Sequence, residues 1–254
     1  NWSRLKIDLM DFKGNSQEEL YSINFPPLCI ERMDEITSLI AQKVNEICCR
    51  HNNILAAGVA CFGPLLYENG NVLFEPGNTE SHRDEDCCYS YPLLNRLREQ
   101  IQIPLFVELE AVAGALAYWW FRTNCDPTQK LMHIFAGEGI GGGFIINGRR
   151  LSAFLDNAFE FGHIIINANG DKCTGGCIGC LQTYCSFTSL VRRTQARLSN
   201  YPQSTLSSRQ NTLTVYELID AMNAGDDCAT DAIMDWGFYL GCGIASILPL
   251  FTPD

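Results

Sequence analysis

The side chains most suited to chemistry in this chain are one histidine and three cysteines that lie between residues 163 and 180. Cys173, Cys177 and Cys180 share a short glycine-rich stretch that follows His163. The two residues between Cys177 and Cys180 allow a tight turn to aim both thiols at one ion, and the neighbouring glycines give the backbone the freedom that such a turn needs. The segment leaves no room for a large core, so its pattern predicts a metal site.

Zinc is the metal that these side chains favour. An imidazole and three thiolates form the mixed nitrogen and sulfur set of a tetrahedral zinc site. With His163, Cys173, Cys177 and Cys180 as the four ligands, no position remains for a catalytic water, so the predicted ion is structural. The alternative is that the cysteines are small core residues or form a disulfide.

The composition is that of a packed globular protein with an acidic surface. Of the 254 residues, 46% are hydrophobic and 19% are charged, which is unlike a disordered chain. The formal net charge of -11 comes from 29 acidic and 18 basic side chains. Because such a surface repels phosphate backbones, the chain on its own is predicted to bind nucleic acid poorly.

The cysteine usage indicates a reducing compartment. The chain has 13 cysteines, an odd number, and we expect neither a signal peptide nor a long apolar span. Free thiols and one metal cluster fit a cytoplasmic protein better than a secreted disulfide framework does. No membrane contact is therefore expected.

Strand and helix patterns alternate along the chain, which predicts an α/β architecture. A turn at 11–15 is expected to reverse the first strand, and the polar segment 200–211 is predicted to be a flexible loop. The predicted strands are 2–10, 56–61, 104–108, 131–135 and 143–146, and the predicted helices are 30–49, 93–100, 110–121, 213–224 and 229–250.

A second glycine-rich segment lies between the last two predicted strands. Backbone N–H groups that converge at such a junction can bind an anion, commonly a phosphate. The alternative is a tight hairpin whose glycines supply only positive φ or close strand approach. The residues predicted to form the phosphate loop are Gly137, Gly139, Gly141 and Gly142.

Taken in order along the chain, these motifs resemble the ROK family, named for its repressors, open reading frames and kinases. The resemblance covers nearly the whole chain and implies an α/β fold of two lobes, the actin-like ATPase or sugar-kinase fold of ribonuclease H-like type. The implied lobes are a partial N-terminal one at 1–113 and a truncated C-terminal one at 114–254. The similar positions are Gly-x-Gly-Ile-Gly-Gly-Gly from Gly137, Asn147-Gly148, Glu160-x-Gly162-His163 and the segment ending Gly179-Cys180-Leu181.

The resemblance further implies that the fold is incomplete at both ends. Kinases of the family open with an Asp-x-Gly-x-Thr strand that meets ATP phosphate, and the first predicted strand here resembles the strand after it. The chain also stops before the family's glycine-rich adenosine segment. The resemblance therefore argues against ATP and Mg as cofactors of this chain.

The family's sugar site is implied as well. Glu160 and His163 are expected to accept sugar hydroxyls, with Asn78, Glu110 and Gln182 nearby. Zinc would hold the loop that carries His163 in place. Ligand binding and closure of the lobes would then be coupled to a subunit interface.

Several residues depart from the kinases of this family. Leu109 stands where an Asn binds a sugar hydroxyl, and Glu110 stands at the position of the general-base Asp. The longer side chain places the carboxylate about one methylene too far along for a near-attack geometry. Gln182 replaces a sugar-binding Glu, and Glu138 replaces a Thr of the phosphate loop, where its charge opposes a nucleotide phosphate.

One cysteine is displaced from the family's pattern. The family usually reads Cys-x-Cys-Gly-x-x-Gly-Cys, whereas Gly175 stands here at the second cysteine position and Cys177 follows two residues later. His163, Cys173 and Cys180 match the family. Cys177 as the third thiol is inferred from this chain's own spacing.

These departures favour a ROK-type transcriptional regulator. The chain is predicted to be its effector-sensing and oligomerisation body, which binds a sugar or sugar phosphate and forms a dimer or tetramer. It would reach DNA only through a winged-helix domain that is absent from this chain. The alternative is an ATP-dependent sugar kinase with an altered catalytic segment, and a third possibility is a zinc-stabilised oligomer that has lost its sugar site.

Overall fold

The computed structural model describes residues 4–24, 32–61, 65–68, 71–74, 91–151, 160–173, 175–209 and 211–254. Strands and helices alternate in the predicted order, which confirms the α/β class. The strands are β1 (Arg4–Met10), β2 (Ser16–Asn24), β3 (Ala57–Cys61), β4 (Leu65–Glu68), β5 (Asn71–Phe74), β6 (Leu105–Leu109), β7 (Leu131–Ala136), β8 (Ile140–Ile146) and β9 (Arg149–Arg150). The helices are α1 (Met33–Arg50), α2 (Leu93–Arg98), α3 (Glu110–Arg122), α4 (Gln182–Cys185), α5 (Phe187–Arg197), α6 (Val215–Asn223) and α7 (Asp227–Phe251).

The packing divides the chain into two units. The first comprises Asn1–His133 with Gly143–Phe159, and the second comprises Ile134–Gly142 with Glu160–Asp254. Helix α3 therefore packs with the first unit. The lobe boundary predicted after residue 113 stays a prediction, because a packing unit and a lobe of the family are different divisions of the chain.

The first unit begins with an antiparallel hairpin of β1 and β2. Asp11 forms the predicted turn, because its carboxylate accepts hydrogen bonds from the N–H groups of Lys13 at 2.8 Å and Asn15 at 3.0 Å. Strand β2 was not predicted as a separate strand. Its first four residues are all exposed and polar, so the period-2 pattern of a half-buried strand is missing there.

The core of the first unit forms around a parallel pair of strands. Ala57 of β3 lies opposite Leu105 of β6, and Cys61 lies opposite Leu109. Both strands thus end at the same edge, and α3 begins immediately afterwards. The buried apolar cluster beside this pair consists of Met33, Ala41, Leu65, Tyr91, Leu93, Leu94, Leu97, Ile101, Leu105 and Val107.

The glycine-rich segment forms a shorter turn than predicted. Strand β8 begins at Ile140, so Gly141 and Gly142 lie within the strand, and the turn covers only 137–139. A Cβ on Gly143 would lie 2.5 Å from the carbonyl oxygen of Ala111, so this glycine allows β8 to approach α3 closely. The close packing of β8 against α3 is therefore sufficient to explain why residue 143 is a glycine. Phosphate binding by the neighbouring glycines stays a prediction.

The second unit has a helical core between α5, α6 and α7. The predicted helices at 213–224 and 229–250 are confirmed as α6 and α7. The predicted flexible loop at 200–211 is partly regular instead, because Thr205–Arg209 form a 3-10 helix whose Leu206 is buried. The core residues are Leu190, Leu198, Leu206, Leu213, Leu218, Ala221, Cys228, Ala229 and Ala232.

Helix α7 corrects the expectation that the chain has no long apolar span. Among the described residues it is the one helix long and apolar enough to cross a membrane, with a mean hydropathy of 1.4 over its best window. Length and composition alone are weak evidence for a membrane span, because the core helix of a folded domain passes the same test.

Asp226 ties the start of α7 to the preceding 3-10 segment. Its carboxylate accepts hydrogen bonds from the N–H of Ala229 at 3.1 Å, the hydroxyl of Ser204 and both the N–H and hydroxyl of Thr205. Burial alone would raise the pKa of this carboxyl, but these donors outweigh burial and lower the pKa below its usual value. Asp226 therefore caps α7 and also holds the 3-10 segment that begins at Thr205.

We expect Asp226→Ala to lower the free energy of unfolding by about 2–3 kcal/mol, because it removes a helix cap and several hydrogen bonds to a charged group. Since the folded-state pKa is depressed, this stabilisation is present above the ordinary aspartate pKa and is lost as pH falls through the folded pKa. Urea unfolding at pH 7 and at about pH 3 measures both effects. The exposed neighbour Asp227→Ala is the control, and an equal loss for both variants would contradict the role of Asp226.

Candidate functional site

The structure brings His163, Cys173 and Cys180 together into one candidate metal centre. One ligand atom from each residue lies within 4.8 Å of the other two. His163 ends a 3-10 turn, Phe161–His163, that follows directly on Glu160. Both cysteines are buried, whereas the histidine is half-buried. Three of the four predicted ligands therefore converge.

The separation of two of these ligand atoms is the one expected around a tetrahedral zinc ion. The Nδ1 atom of His163 lies 3.6 Å from the sulfur of Cys173. Zinc bonds of about 2.3 Å to sulfur and about 2.05 Å to nitrogen, at a tetrahedral angle, place the two ligand atoms about 3.6 Å apart. The imidazole thus presents Nδ1 towards the thiols, which leaves Nε2 for another partner.

Backbone hydrogen bonds fold the segment that carries the cysteines. The N–H of Cys173 donates to the carbonyl of Cys177 at 2.7 Å, and the N–H of Gly179 donates to the carbonyl of Asp171 at 2.8 Å. Gly179 has a φ of 72°, and a Cβ there would collide with the carbonyl of Asn167. Only glycine fits this position, so the turn before Cys180 depends on it.

Cys177 lies outside the group of three but next to it. Its side chain is exposed. The pKa of the Cys180 thiol is raised to about 12, first by burial and then by the neighbouring thiols of Cys173 and Cys177. Cys177 is thus a neighbour of Cys180, and its role as the fourth ligand stays a prediction.

Gly175 points at the same centre. A Cβ on this residue would lie 3.0 Å from Cε1 of His163 and 3.7 Å from the sulfur of Cys173. A cysteine at this position would therefore have its thiol beside the candidate metal centre. This is the position at which the resemblance expects a cysteine, so the glycine opens one side of the centre.

Gln182 lies beside the segment that carries the predicted sugar-binding residues. A Cβ on Gly162 would lie 3.1 Å from Oε1 of Gln182 and 2.4 Å from the carbonyl oxygen of Ile140. Glu160 is exposed at the start of the same turn, and its carbonyl accepts a hydrogen bond from the N–H of His163 at 2.9 Å. Within the second unit, Gln182 therefore lies beside the turn that carries Glu160 and His163.

Glu138 is tied to helix α5 in the second unit. Its carboxylate accepts a hydrogen bond from the hydroxyl of Thr188 at 2.8 Å, and the N–H of Phe187 donates to the carbonyl of Gly137 at 2.7 Å. The Gly137 N–H donates to the carbonyl of Gly139 at 2.9 Å. The turn at 137–139 is therefore held against the first turn of α5.

The first unit carries a second set of polar groups where β3 and β6 end. Glu108, only 9% exposed, forms an ion pair with Arg150 of β9, and its carboxylate also accepts the N–H of Leu109 at 3.0 Å. Glu110 is the first residue of α3. The pKa of the Cys61 thiol is raised to about 12, first by burial and then by the charge of Glu110. These groups share the carboxyl edge of a parallel pair, which is where ligands bind in open α/β sheets.

The ion pair was not predicted from the sequence. Glu108 and Arg150 lie far apart in the chain, and no local pattern joins them. Asn78, a predicted sugar-binding residue, lies outside the described residues. Glu110 lies at the start of α3, and its role as a sugar-binding residue stays a prediction.

Burial raises the pKa of the Glu110 carboxyl. Folding therefore favours the protonated form of Glu110. The stability that this form contributes is fully present below the ordinary glutamate pKa and is lost as pH rises through the folded-state pKa. We expect Glu110→Gln to raise the Tm at pH 8 and to leave it nearly unchanged at about pH 4. Scanning calorimetry at the two pH values measures this, with the exposed Glu18→Gln as control. A variant whose Tm falls equally at both pH values would contradict the assignment.

Comparison with known proteins shows the family of this chain. The ROK family model matches residues 13–254. A glucokinase of Halalkalibacterium halodurans is 30% identical over 168 residues, which cover 65% of this chain and 51% of the relative. A xylose repressor of Caldicellulosiruptor bescii is 27% identical over 218 residues, which cover 85% of this chain and 52% of the relative. The chain thus spans about half the length of these relatives.

A solved structure shows the same fold. The crystal structure of a ROK family transcriptional regulator, a homologue of the E. coli MLC protein, superimposes with a TM-score of 0.80 at 24% identity. The alignment covers 99% of this chain and 61% of that chain. This likeness confirms the predicted actin-like ATPase or sugar-kinase fold. The family match over nearly the whole sequence leads to one conclusion: the chain belongs to the ROK family.

Proposed function

We propose that this chain is the effector-sensing and oligomerisation body of a cytoplasmic ROK-type transcriptional regulator. The observation that carries the proposal is the junction of β6 and α3, where Leu109 precedes Glu110. A leucine side chain cannot hydrogen-bond a sugar hydroxyl, and a glutamate carboxylate reaches about one methylene beyond the position of an aspartate. A junction of this kind supports ligand binding better than phosphoryl transfer.

The groups proposed to bind the effector are side chains that form hydrogen bonds with hydroxyl groups. In the second unit, Glu160 and His163 share one turn, and Gln182 lies beside that turn. In the first unit, Glu110 lies at the edge of β3 and β6. Carboxylate and amide oxygens accept hydrogen bonds from sugar hydroxyls, and the amide also donates. The proposed effector is a sugar or a sugar phosphate.

Zinc is the proposed metal of the centre at His163, Cys173 and Cys180, with Cys177 as the proposed fourth ligand. The 3.6 Å separation of the His163 Nδ1 and Cys173 sulfur atoms supports this choice. A closed site of one imidazole and three thiolates contributes folding energy rather than a reactive water. Here it would fix the turn that carries His163, one of the proposed sugar ligands.

The proposed partners of the whole protein are a second copy of the chain, as dimer or tetramer, and DNA bound through a winged-helix domain outside this sequence. The similarity to a xylose repressor supports the regulatory assignment. The net charge of -11 supports the view that this body itself does not bind DNA.

The second candidate is an ATP-dependent sugar kinase, which the similarity to a glucokinase favours. A coupled ADP-release assay on the full-length protein with a panel of hexoses separates the two. We expect turnover at background level for the parent and for Glu110→Gln alike. Turnover above background that disappears in Glu110→Gln would establish the kinase instead.

The possibility of a structural protein without a sugar site is tested by thermal shift. A ligand present at a hundred times its dissociation constant adds about 2.7 kcal/mol to the free energy of unfolding. We expect at least one sugar or sugar phosphate of the panel to raise the Tm. A panel without any shift would contradict the effector-sensing role.

A further inference from the structure

Cys173 and Cys177 face each other across two short antiparallel arms of the segment that carries the candidate metal centre. The N–H of Cys173 donates to the carbonyl of Cys177 at 2.7 Å. The next residues along the two arms, Lys172 and Ile178, form an antiparallel β-bridge. In this register Cys173 lies directly opposite Cys177.

This pairing of the two cysteines suits a disulfide. Opposite residues of a hydrogen-bonded antiparallel pair have Cα atoms about 5.5 Å apart and carry their side chains on the same face. A disulfide spans Cα separations of about 4.4–6.8 Å. Both cysteines are free thiols in this structure. The backbone therefore holds two reduced thiols at a separation that an S–S bond can close.

The two thiols differ in their exposure to solvent. Cys177 is exposed, whereas Cys173 is only 6% exposed. A Cβ on Gly175 would lie 3.7 Å from the sulfur of Cys173, so the absence of a side chain there leaves one side of this sulfur open. Oxidation is selective for an exposed thiol that has a second thiol beside it. Cys177 is thus the thiol that an oxidant meets first, and Cys173 is the one that can resolve the product.

From this arrangement we infer that Cys177 is an oxidation site for a hydroperoxide, and that the product is a disulfide with Cys173 that removes a ligand from the metal centre. The loss of metal rests on the proposed function, whereas the disulfide rests on the pairing of the two cysteines alone. In a reducing cytoplasm a disulfide of this kind is transient and redox-sensing.

The reaction with hydrogen peroxide consists of two displacements. The sulfur of Cys177 attacks one oxygen, the O–O bond breaks, and a sulfenic acid and one water form. The sulfur of Cys173 then attacks the sulfenic sulfur, the S–S bond forms, and the S–O bond breaks with loss of a second water. The two thiols together lose two electrons and two protons, and the peroxide takes up both.

The candidate metal centre loses Cys173 in this reaction. Zinc is bound by the thiolate, and a sulfur in a disulfide is no longer a thiolate. The thiol of Cys180 interacts with those of both Cys173 and Cys177, so the oxidised pair lies beside the remaining sulfur ligand. Because metal binding contributes folding energy, oxidation also removes the support of the turn that carries His163.

Treatment of the full chain with hydrogen peroxide tests the inference. Peptide mass spectrometry without reduction locates the disulfide, and a chromogenic chelator measures the released zinc. We expect a disulfide between Cys173 and Cys177, a loss of about one zinc ion for each disulfide formed, and a lower Tm. Dithiothreitol followed by zinc should reverse all three changes.

Two results of this treatment would overturn the inference. One is a disulfide between Cys177 and Cys180, or none at all, at a dose of peroxide that oxidises the exposed Cys49. The other is zinc that stays bound after the disulfide has formed. A parent protein that is purified without zinc would contradict the proposed metal, while the position of the disulfide would still decide the oxidation site.

A pair of variants tests whether Cys177 is the site of entry. In Cys177→Ser we expect Cys173 to stay reduced at the same dose of peroxide, as measured by alkylation and mass spectrometry, whether or not the variant retains zinc. The control is Cys49→Ser, because Cys49 is also an exposed thiol but belongs to α1. This variant should form the same disulfide as the parent. Equal oxidation of Cys173 in the parent and in Cys177→Ser would contradict the role of Cys177.

Discussion

Replacing Cys180 or Cys173 by serine is expected to remove the metal and much of the stability of the second unit. Both thiols are buried beside His163, and one ligand atom from each of the three residues lies within 4.8 Å of the others. Metal binding to a structural site contributes about 10–16 kcal/mol in small zinc domains, which is comparable to the whole stability of a folded domain. Losing one ligand should therefore reduce zinc content from about one ion per chain to near zero.

Metal analysis by mass spectrometry and thermal unfolding of the same samples measure this result. The matched control is Cys228→Ser, because Cys228 is also a buried thiol but lies outside the candidate centre. We expect this variant to lose some stability and to retain its zinc. A well-folded parent protein without zinc would refute the metal assignment.

The fourth ligand can be identified by rescue. If Cys177 completes the set, Cys177→Ser should weaken zinc binding. Adding Gly175→Cys to that variant should then restore binding, because a Cβ at this position lies 3.7 Å from the sulfur of Cys173. Unchanged zinc affinity in Cys177→Ser would show that this thiol is not a ligand.

The sequence was sufficient where a local pattern determines the structure. Helix α1 begins and ends within three residues of its predicted bounds, because its apolar residues recur at helical spacing. The convergence of the candidate metal centre was also predictable, since Cys173 and Cys180 lie close in the chain and His163 precedes Cys173 by ten residues. Short-range spacing was enough to indicate the three residues that converge there.

The features that the sequence could not supply depend on contacts across the chain. The ion pair of Glu108 and Arg150 joins a strand end to a distant strand. Strand β8 begins inside the glycine run, where Gly143 closely approaches the carbonyl of Ala111. The glycines allow this contact, but no local pattern in the sequence predicts it. Strands β4 and β5 have four residues each, too few for a clear alternation of apolar and polar residues.

The second large effect is expected when His163 and Glu160, which belong to the same turn, are replaced one at a time. His163 presents Nδ1 towards the thiols, so its Nε2 is left to meet a ligand hydroxyl or a neighbouring carboxylate. His163→Ala should therefore lower zinc content and sugar affinity together. Glu160 lies exposed on the same turn but outside the candidate centre. Glu160→Ala should weaken sugar binding and leave zinc content and Tm nearly unchanged.

The difference between these two variants follows from what each side chain holds. Removal of the imidazole releases both the ion and the turn that presents Glu160, whereas removal of the Glu160 carboxylate takes away only an acceptor for a ligand hydroxyl. Calorimetric titration with the sugar that binds the parent, together with metal analysis, measures both quantities, and the exposed Asp220→Ala of α6 serves as the control. If Glu160→Ala binds this sugar as tightly as the parent does, Glu160 is not a sugar ligand. If His163→Ala loses zinc but keeps its sugar affinity, the metal and the sugar are independent.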